Sequence, residues 1–228
     1  MAKQRDFLRI GVFYDGTFFT KAQNYFWGHK YGWLSFQEFH KLLESCVRSK
    51  EQGHSAYKVV YSAWFQGLHK ESLAPEDKLR LDRKRHSDLL HAGIEPKNVP
   101  MSETQGEKGI DVYMAVETLQ VGLDDKIDMA VLVTGDGDFV PLVRALMKNG
   151  VRVLIAYFEF EETNINNTIN KSFANERLIN SANYCLNINS LEHDREFKAE
   201  FKTIFRQPED NKKREFKKQK SEPTQSEI

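Results

Sequence analysis

The sequence predicts an α/β fold in which a mainly parallel sheet lies between layers of helices. Four apolar segments, rich in β-branched or aromatic residues, have the composition of buried strands. Segments with helical periodicity, each about ten to fifteen residues long, separate these strands. With 228 residues, the chain is long enough to form one main domain with its own hydrophobic core.

The predicted strands are nearly continuous in apolar residues, which is typical of strands covered on both faces. A fifth, less apolar segment at 184–188 is a further candidate. The four main segments are 7–14 (FLRIGVFY), 57–65 (YKVVYSAWF), 129–134 (MAVLVT) and 151–158 (VRVLIAYF).

Helix signals lie between the strands. Ser35 and Glu38 form a capping box that begins a helix with one apolar face. The other predicted helices are one after Pro75 (76–91), one after Gly109, one from a cap at Asp138 to the Asn-Gly pair at 149–150, and one at 177–182.

The distribution of apolar residues divides the chain into three regions. We expect one globular domain over 1–190, a charged helical extension over 191–206 and a disordered basic tail over 207–228. The tail has two prolines, a Lys/Arg cluster at 212–220 and few apolar residues, which is typical of disorder. The C-terminal helix is the candidate contact for a protein partner or a second copy of the chain.

Composition excludes several classes of protein. The 33 Lys and Arg residues balance 33 Asp and Glu residues, so the chain is not a polycation, although a local nucleic-acid surface stays open. No apolar run approaches the ~18 residues of a membrane span, and the N-terminus lacks the apolar core of a signal peptide. Cys46 and Cys185 lack metal-ligand spacing and suit a reducing compartment. We therefore expect a cytoplasmic protein.

Aspartates follow two of the predicted strands. Asp15 ends the first strand, and Asp136 and Asp138 follow the strand at 129–134 in a Thr-Gly-Asp-Gly-Asp sequence. Ligands of parallel sheets bind beyond the carboxyl ends of the strands. If these two strands are neighbours, their acids converge at one edge of the sheet, and Asp111 can join them from the start of a helix.

Clustered carboxylates repel one another, and a divalent cation is the usual means of offsetting that repulsion. Mg²⁺ prefers oxygen ligands, and a pair of such ions can promote phosphodiester cleavage without a catalytic His or Cys. The alternative is structural, because an Asp at a strand–helix junction is often only a helix cap. The ligand spacing of an EF-hand is missing.

Four motifs together resemble the NYN domain, and more narrowly its LabA/DUF88-like branch, within the PIN-like nuclease superfamily. In order and spacing the resemblance covers about residues 7–190. The motifs are 13–16 (FYDG), 108–112 (KGIDV), 132–142 (LVTGDGDFVPL) and 150–153 (GVRV).

The resemblance implies a PIN-like three-layer α/β/α sandwich, an acidic pocket that binds Mg²⁺ or Mn²⁺, and activity on RNA. Carried over motif by motif, the catalytic and metal-binding residues are Asp15, Asp111, Asp136 and Asp138.

The chain departs from the family pattern at three positions. Phe18 stands where the first motif commonly has Asn. Late in the domain, Asn175 replaces the Ser of a Ser-x-x-Leu motif, and Asn183 replaces the Asp of an Ala-Asp pair. These departures affect the expected catalytic activity more than the expected fold, because the missing Asn would help to position substrate or metal.

Basic and aromatic residues are the candidates for RNA contacts. Lys108 lies three residues before Asp111, and Arg83, Lys84 and Arg85 lie on one predicted helix. Such residues contribute phosphate contacts, but each is also compatible with a solvated surface. Aromatic residues after the first motif either stack on unpaired bases or, as we favour, pack onto the domain: Tyr25, Phe26, Trp27, Tyr31 and Trp33.

The predicted function is a metal-dependent endoribonuclease that acts on single-stranded or unpaired RNA. Asp15, Asp111 and Asp136 would hold the metal, and Asp138 would bind metal or orient the attacking water. The alternative is an RNA-binding or regulatory module with little or no turnover, which Phe18 favours. A phosphatase with Asp15 as its nucleophile is disfavoured, because Thr17 stands where a second acid would be needed.

Overall fold

Six parallel strands form the central sheet, and two short antiparallel pairs lie outside it in the described residues. The structure, a computed structural model, describes residues 6–68, 75–100, 109–163 and 169–207. The strands are β1 (Phe7–Asp15), β2 (Trp33–Leu34), β3 (Ala56–Leu68), β4 (Glu95–Pro100), β5 (Met129–Val133), β6 (Arg152–Tyr157), β7 (Phe160–Thr163), β8 (Ile169–Ser172), β9 (Tyr184–Asn187) and β10 (Phe205–Arg206). The α-helices are α1 (Gly16–Gly28), α2 (Phe36–Lys50), α3 (Glu76–His91), α4 (Ile110–Leu123), α5 (Val140–Lys148), α6 (Glu176–Ser181) and α7 (Lys198–Thr203).

The order of the strands in the sheet reverses between β1 and β5. The full order is β4-β3-β1-β5-β6-β9. From β1 the chain adds β3 and β4 in one direction, and it then returns to add β5, β6 and β9 on the other side. Tyr14 of β1 and Val133 of β5 are paired neighbours. The predicted α/β fold with a mainly parallel sheet is confirmed, and its ligand-binding position lies between these two strands.

Side chains of the central strands alternate between two apolar layers, one on each face of the sheet. In β5, Met129, Val131 and Val133 enter one layer, whereas Ala130 and Leu132 enter the other. All five are buried. Helices α1, α2, α3 and α7 contribute to the first layer, and α4, α5 and α6 to the second. Burial on both faces explains why this strand is apolar at every position.

Most of the predicted helix starts are confirmed. The Ser35 hydroxyl accepts a hydrogen bond from the Glu38 N–H at the start of α2, and α4 begins after Gly109, whose φ is 87°. The prediction that Asp138 caps the following helix is wrong. Asp136 is the capping residue, because its carboxylate accepts the Asp138 N–H at the start of a short 3₁₀ turn, Gly137–Phe139, that leads into α5.

Five elements of the main domain were not predicted: β2, β4, β7, β8 and α1. Strand β4 contains Pro96 and Pro100, and such a sequence argues against a central strand. The structure places β4 at the edge of the sheet, where missing N–H donors are tolerated. Helix α1 begins with a glycine, but Asp15 caps it and Phe19, Ala22 and Phe26 form a buried face at helical spacing. These signals were present in the sequence and were missed.

The segment 191–206 is not one charged helix. It begins within a 3₁₀ turn (Asn189–Glu192) and continues through the six-residue helix α7 to the strand β10, which pairs with β2. Phe197, Phe201 and Ile204 are buried in the first apolar layer, so their side chains stabilise this domain and are not available to a partner. The predicted basic tail is 207–228, and all of it after residue 207 lies outside the described residues.

Candidate active site

A cavity of about 360 Å³ lies at the carboxyl ends of β1 and β5. Asp15, Asp111 and Asp136 all line it. Asp15 is the last residue of β1, Asp136 follows β5, and Asp111 lies in the first turn of α4. The pairing of β1 with β5 therefore brings together Asp15 and Asp136, which are more than a hundred positions apart in the chain.

The Asp15 carboxylate is held by two hydrogen bonds. Its Oδ1 accepts the Phe18 N–H at 2.9 Å, so Asp15 is also the N-cap of α1. Its Oδ2 accepts the Thr134 hydroxyl at 3.1 Å. The first bond ties the carboxylate to the helix that follows it, and the second ties it to the neighbouring strand.

The Thr134 hydroxyl connects the two strand-end aspartates. Thr134 is fully buried, and its Oγ1 donates to Asp15 while it accepts the Asp136 N–H at 3.2 Å. The Asp136 Oδ1 in turn accepts the Asp138 N–H at 2.9 Å. The positions of Asp15 and Asp136 therefore depend on one shared hydroxyl group.

Replacing Thr134 by valine is expected to weaken both the fold and the site. The change keeps the shape of the side chain but leaves an Asp15 oxygen and the Asp136 N–H without this partner, at a cost of about 1–3 kcal/mol for each buried group that stays unsatisfied. Urea unfolding should show the loss. Thr134→Ser keeps the hydroxyl and is the matched control, so equal destabilisation by both substitutions would contradict the bridging role.

Four of the other predicted site residues, Asp138, Arg83, Lys84 and Arg85, do not line this cavity. Asp138 is exposed on the 3₁₀ turn and meets Asp136 through its backbone N–H. Lys108 lies outside the described residues. On α3, Arg83 pairs with Glu76 at 3.5 Å, and Lys84 is exposed.

Arg85 is held against the domain. Its Nη1 donates to Gln66 Oε1 at 3.0 Å, and its guanidinium lies 5.8 Å from the centre of the Trp64 ring. Burial lowers the pKa of Arg85. These contacts are structural, so Arg85 does not share a free basic surface with Lys84.

The donor set of the cavity has the chemistry of a hard-cation site without a complete set of ligands. Its acids are three carboxylates, and its lining contains no His or Cys among the described residues. Across 6–68, 75–100, 109–163 and 169–207, no group of three or more His, Cys, Asp or Glu side chains could hold a metal ion by itself. The residues present therefore supply oxygen ligands to a hard cation, but the described side chains do not complete its coordination shell.

Two lysines that line the cavity were missed by sequence reasoning. Lys21 lies on α1, four residues after Thr17, which also lines the cavity, so the helical period could have placed it there. Lys171 lies on β8. No sequence signal pointed to Lys171, because the hairpin formed by β7 and β8 was not predicted.

The departures from the family pattern have structural explanations. Phe18 lines the cavity and contacts Phe158, with the ring centres 5.9 Å apart. Asn175 is the N-cap of α6, where it accepts the Arg177 N–H. Asn183 accepts the Val153 N–H at the amino end of β6, on the side of the sheet away from the cavity. Phe18 therefore bears on the site directly, and Asn175 bears on it through the turn that carries Asp136, because its N–H donates to the Gly135 carbonyl.

The aromatic residues of 25–33 mainly pack onto the domain. Phe26 is buried, and Tyr25 stacks on Phe160 with ring centres 4.3 Å apart. The Trp27 and Trp33 rings contact each other, with their centres 4.9 Å apart, and both side chains are partly exposed.

A second cavity, of about 490 Å³, lies at the amino ends of the strands. Asp125 and Asp128 line it, and both form ion pairs with Arg9, at 3.0 and 2.8 Å. These acids stabilise the start of β5 against β1, and we assign no chemistry to this cavity.

In the described part of the chain, none of the helices combines the length and the apolar character needed to cross a bilayer.

Comparison with known proteins identifies the family. No curated protein matches the sequence significantly. A crystal structure of a protein of unknown function from Vibrio parahaemolyticus shares the fold, with a TM-score of 0.54 and 17% identity over 86% of this chain and 99% of that chain. The sequence profile of the NYN domain matches residues 9–191, and this protein therefore belongs to the NYN domain family.

Proposed function

We propose that this protein is a metal-dependent endoribonuclease that cleaves phosphodiester bonds in single-stranded or locally unpaired RNA. NYN domains belong to the PIN-like nuclease superfamily, so family membership supports a nuclease-like activity on RNA. The observation that carries the proposal is the presence of Asp15, Asp111 and Asp136 in one cavity, at the point where the strand order reverses.

The three carboxylates would hold Mg²⁺ or Mn²⁺, some directly and the rest through water. When bound, the ion would activate a water for attack on the phosphodiester and stabilise charge on the leaving oxygen. The proposal does not need a His or Cys as a catalytic group.

The protein's own part is to hold the carboxylates in place before substrate arrives. The Phe18 N–H and the Thr134 hydroxyl fix Asp15. The Asp138 N–H fixes Asp136. Positioning of this kind lowers the cost of assembling the site during the reaction. We assign Asp138 a supporting role through its backbone, with a smaller contribution from its exposed side chain.

A second candidate function is RNA binding without turnover. Phe18 favours it, because an apolar ring lines the cavity at the position where the family motif commonly supplies an amide. In this case the acidic cavity would bind a cation and RNA, but the missing amide would leave substrate or water poorly positioned.

The test is cleavage of a fluorescently labelled, unstructured oligoribonucleotide by the full chain. We expect products with Mg²⁺ or Mn²⁺, and no products when EDTA is added. A fully paired RNA of the same sequence should be cleaved more slowly. Metal-dependent binding without product would favour the second candidate, whereas cleavage that persists in EDTA would contradict a metal-dependent reaction.

The proposal also places the protein in the cytoplasm. Cys46 is buried and Cys185 is exposed, and both are free thiols. Free exposed cysteine is typical of a reducing compartment.

A further inference from the structure

One wall of the acidic cavity belongs to the β7–β8 hairpin. Lys171, Ser172 and Phe173 line this wall, and Lys21 of α1 lines the cavity with them. None of these residues lies in the motifs that carry the aspartates. The cavity therefore combines carboxylates with lysines and two aromatic rings, those of Phe18 and Phe173.

Phe173 is unusual among the aromatic residues of the domain because it is 53% exposed. Its backbone is nevertheless fixed close to the acids. A Cβ atom added to Gly135 would lie 2.9 Å from the Phe173 carbonyl oxygen, and the Asn175 N–H donates to the Gly135 carbonyl at 2.8 Å. The chain at 173–175 thus packs against the turn that carries Asp136, and the backbone that carries the exposed ring has a defined position beside the cavity.

Lys21 and Lys171 supply positive charge at the same place. Both are exposed, and neither forms an ion pair within the described ranges. An ammonium group on a flexible stem is a suitable partner for a phosphate oxygen. A cavity that places carboxylates able to bind a cation beside lysines suits a polyanion, whose phosphates can contact both the cation and the lysines.

We propose that the hairpin forms a nucleotide subsite in which Phe173 stacks on an unpaired base while Lys21 and Lys171 contact the flanking phosphates. The inference rests on the proposed action of this cavity on RNA, and it adds a reason for selecting unpaired RNA. Both faces of a base inside a duplex are covered by its neighbours, so only an unstacked base can offer a face to Phe173.

An RNA subsite accounts for the exposed Phe173 ring, the two lysines and the carboxylates of the cavity together. A protein partner would use the exposed ring, but it would leave the cavity charges without a role. Ile169 lies on the same hairpin and is 58% exposed, yet it does not line the cavity. This residue offers a control of equal apolar exposure outside the subsite.

The experiment measures binding of a labelled single-stranded oligoribonucleotide by fluorescence anisotropy. The full chain carries Asp136→Asn to prevent cleavage, and Mg²⁺ is present. Phe173→Ala should weaken binding about 5- to 150-fold, which corresponds to the loss of one stacked base. Phe173→Trp should keep the affinity, and Ile169→Ala should leave it unchanged. Because Phe173 and Ile169 are exposed, melting temperatures should confirm that the variants fold.

The lysines are tested through salt dependence. Lys21→Gln and Lys171→Gln should each reduce the slope of log affinity against log salt by about 0.7, the value for one phosphate contact to a single strand. A duplex of the same sequence should bind more weakly and should not respond to Phe173→Ala.

Unchanged RNA binding in Phe173→Ala would overturn the subsite, as would an equal loss with duplex RNA or unchanged salt slopes in both lysine variants. These results are separable from the failure of the proposed function. If the chain without Asp136→Asn cleaves RNA but Phe173→Ala does not weaken RNA binding, the nuclease proposal is supported and the subsite is refuted. If the Phe173 and lysine variants change binding as expected but the chain without Asp136→Asn does not cleave RNA, the subsite is supported and the nuclease proposal is refuted. If the chain neither binds nor cleaves RNA, both proposals fall.

Discussion

Asp136→Asn is expected to reduce RNA cleavage at least about 100-fold, since changes to residues that merely support metal ligands already cost 10–100-fold. Asp136 lines the cavity with Asp15 and Asp111, and the substitution removes a negative charge while it keeps the size of the side chain. The amide oxygen can still accept the Asp138 N–H that the carboxylate accepts now, so the turn should keep its conformation. The measurement is the rate of product formation from a labelled oligoribonucleotide in Mg²⁺.

Asp138→Asn is the matched control for this experiment. The substitution makes the same chemical change two residues away, on an exposed side chain that does not line the cavity. We expect a clearly smaller loss, because the Asp138 backbone N–H that holds Asp136 is unchanged. An equal loss of cleavage rate in both variants would show that the Asp138 side chain also takes part in catalysis. Full activity in Asp136→Asn would refute the site.

Gly16→Ala is expected to destabilise the domain and to displace Asp15. A Cβ atom at this position would lie 2.6 Å from Trp64 Nε1 and 2.7 Å from the Phe65 carbonyl oxygen. Neither group can move easily, because Trp64 is buried and Phe65 is paired with Asp15 across β1 and β3. The start of α1 must therefore shift, and with it the Phe18 N–H that holds the Asp15 carboxylate.

Overpacking of this kind costs about 1–3 kcal/mol, and for a chain of this size each kcal/mol lowers the melting temperature by about 2–4 °C. Differential scanning calorimetry should detect the shift, and cleavage activity should fall with it. Gly28→Ala, at the other end of the same helix, is the control, because a Cβ atom there meets nothing within 4 Å. Its melting temperature should stay the same or rise slightly. Equal behaviour of the two variants would contradict the close packing at Gly16.

The strands and their burial could be predicted because burial leaves a local signal. All four main strands were found, and β5 is apolar at each of its positions because both of its faces are covered. Strand β4 was missed for the opposite reason. It lies at the edge of the sheet, where the sequence carries two prolines and little apolar pattern.

The candidate site was predicted in part. Asp15, Asp111 and Asp136 were named from their positions near strand ends and in motifs, and the structure places all three around one cavity. Asp138 has the same local sequence signals as Asp136. In the structure the two residues lie at different positions of the 3₁₀ turn, and only Asp136 lines the cavity. Spacing in a turn does not reveal which of two neighbouring acids faces the site.

By itself, the sequence determined the alternation of strands and helices, the capping box at Ser35 and the acids at the strand ends, because each depends on residues a few positions apart. Only the tertiary structure decided which elements meet. The insertion of β1 between β3 and β5 brings Asp15 beside Thr134, and the β7–β8 hairpin adds Lys171 and Phe173 to the same cavity. Such contacts join residues that are distant in the chain. They depend on how the whole sheet packs, so no local sequence pattern predicts them.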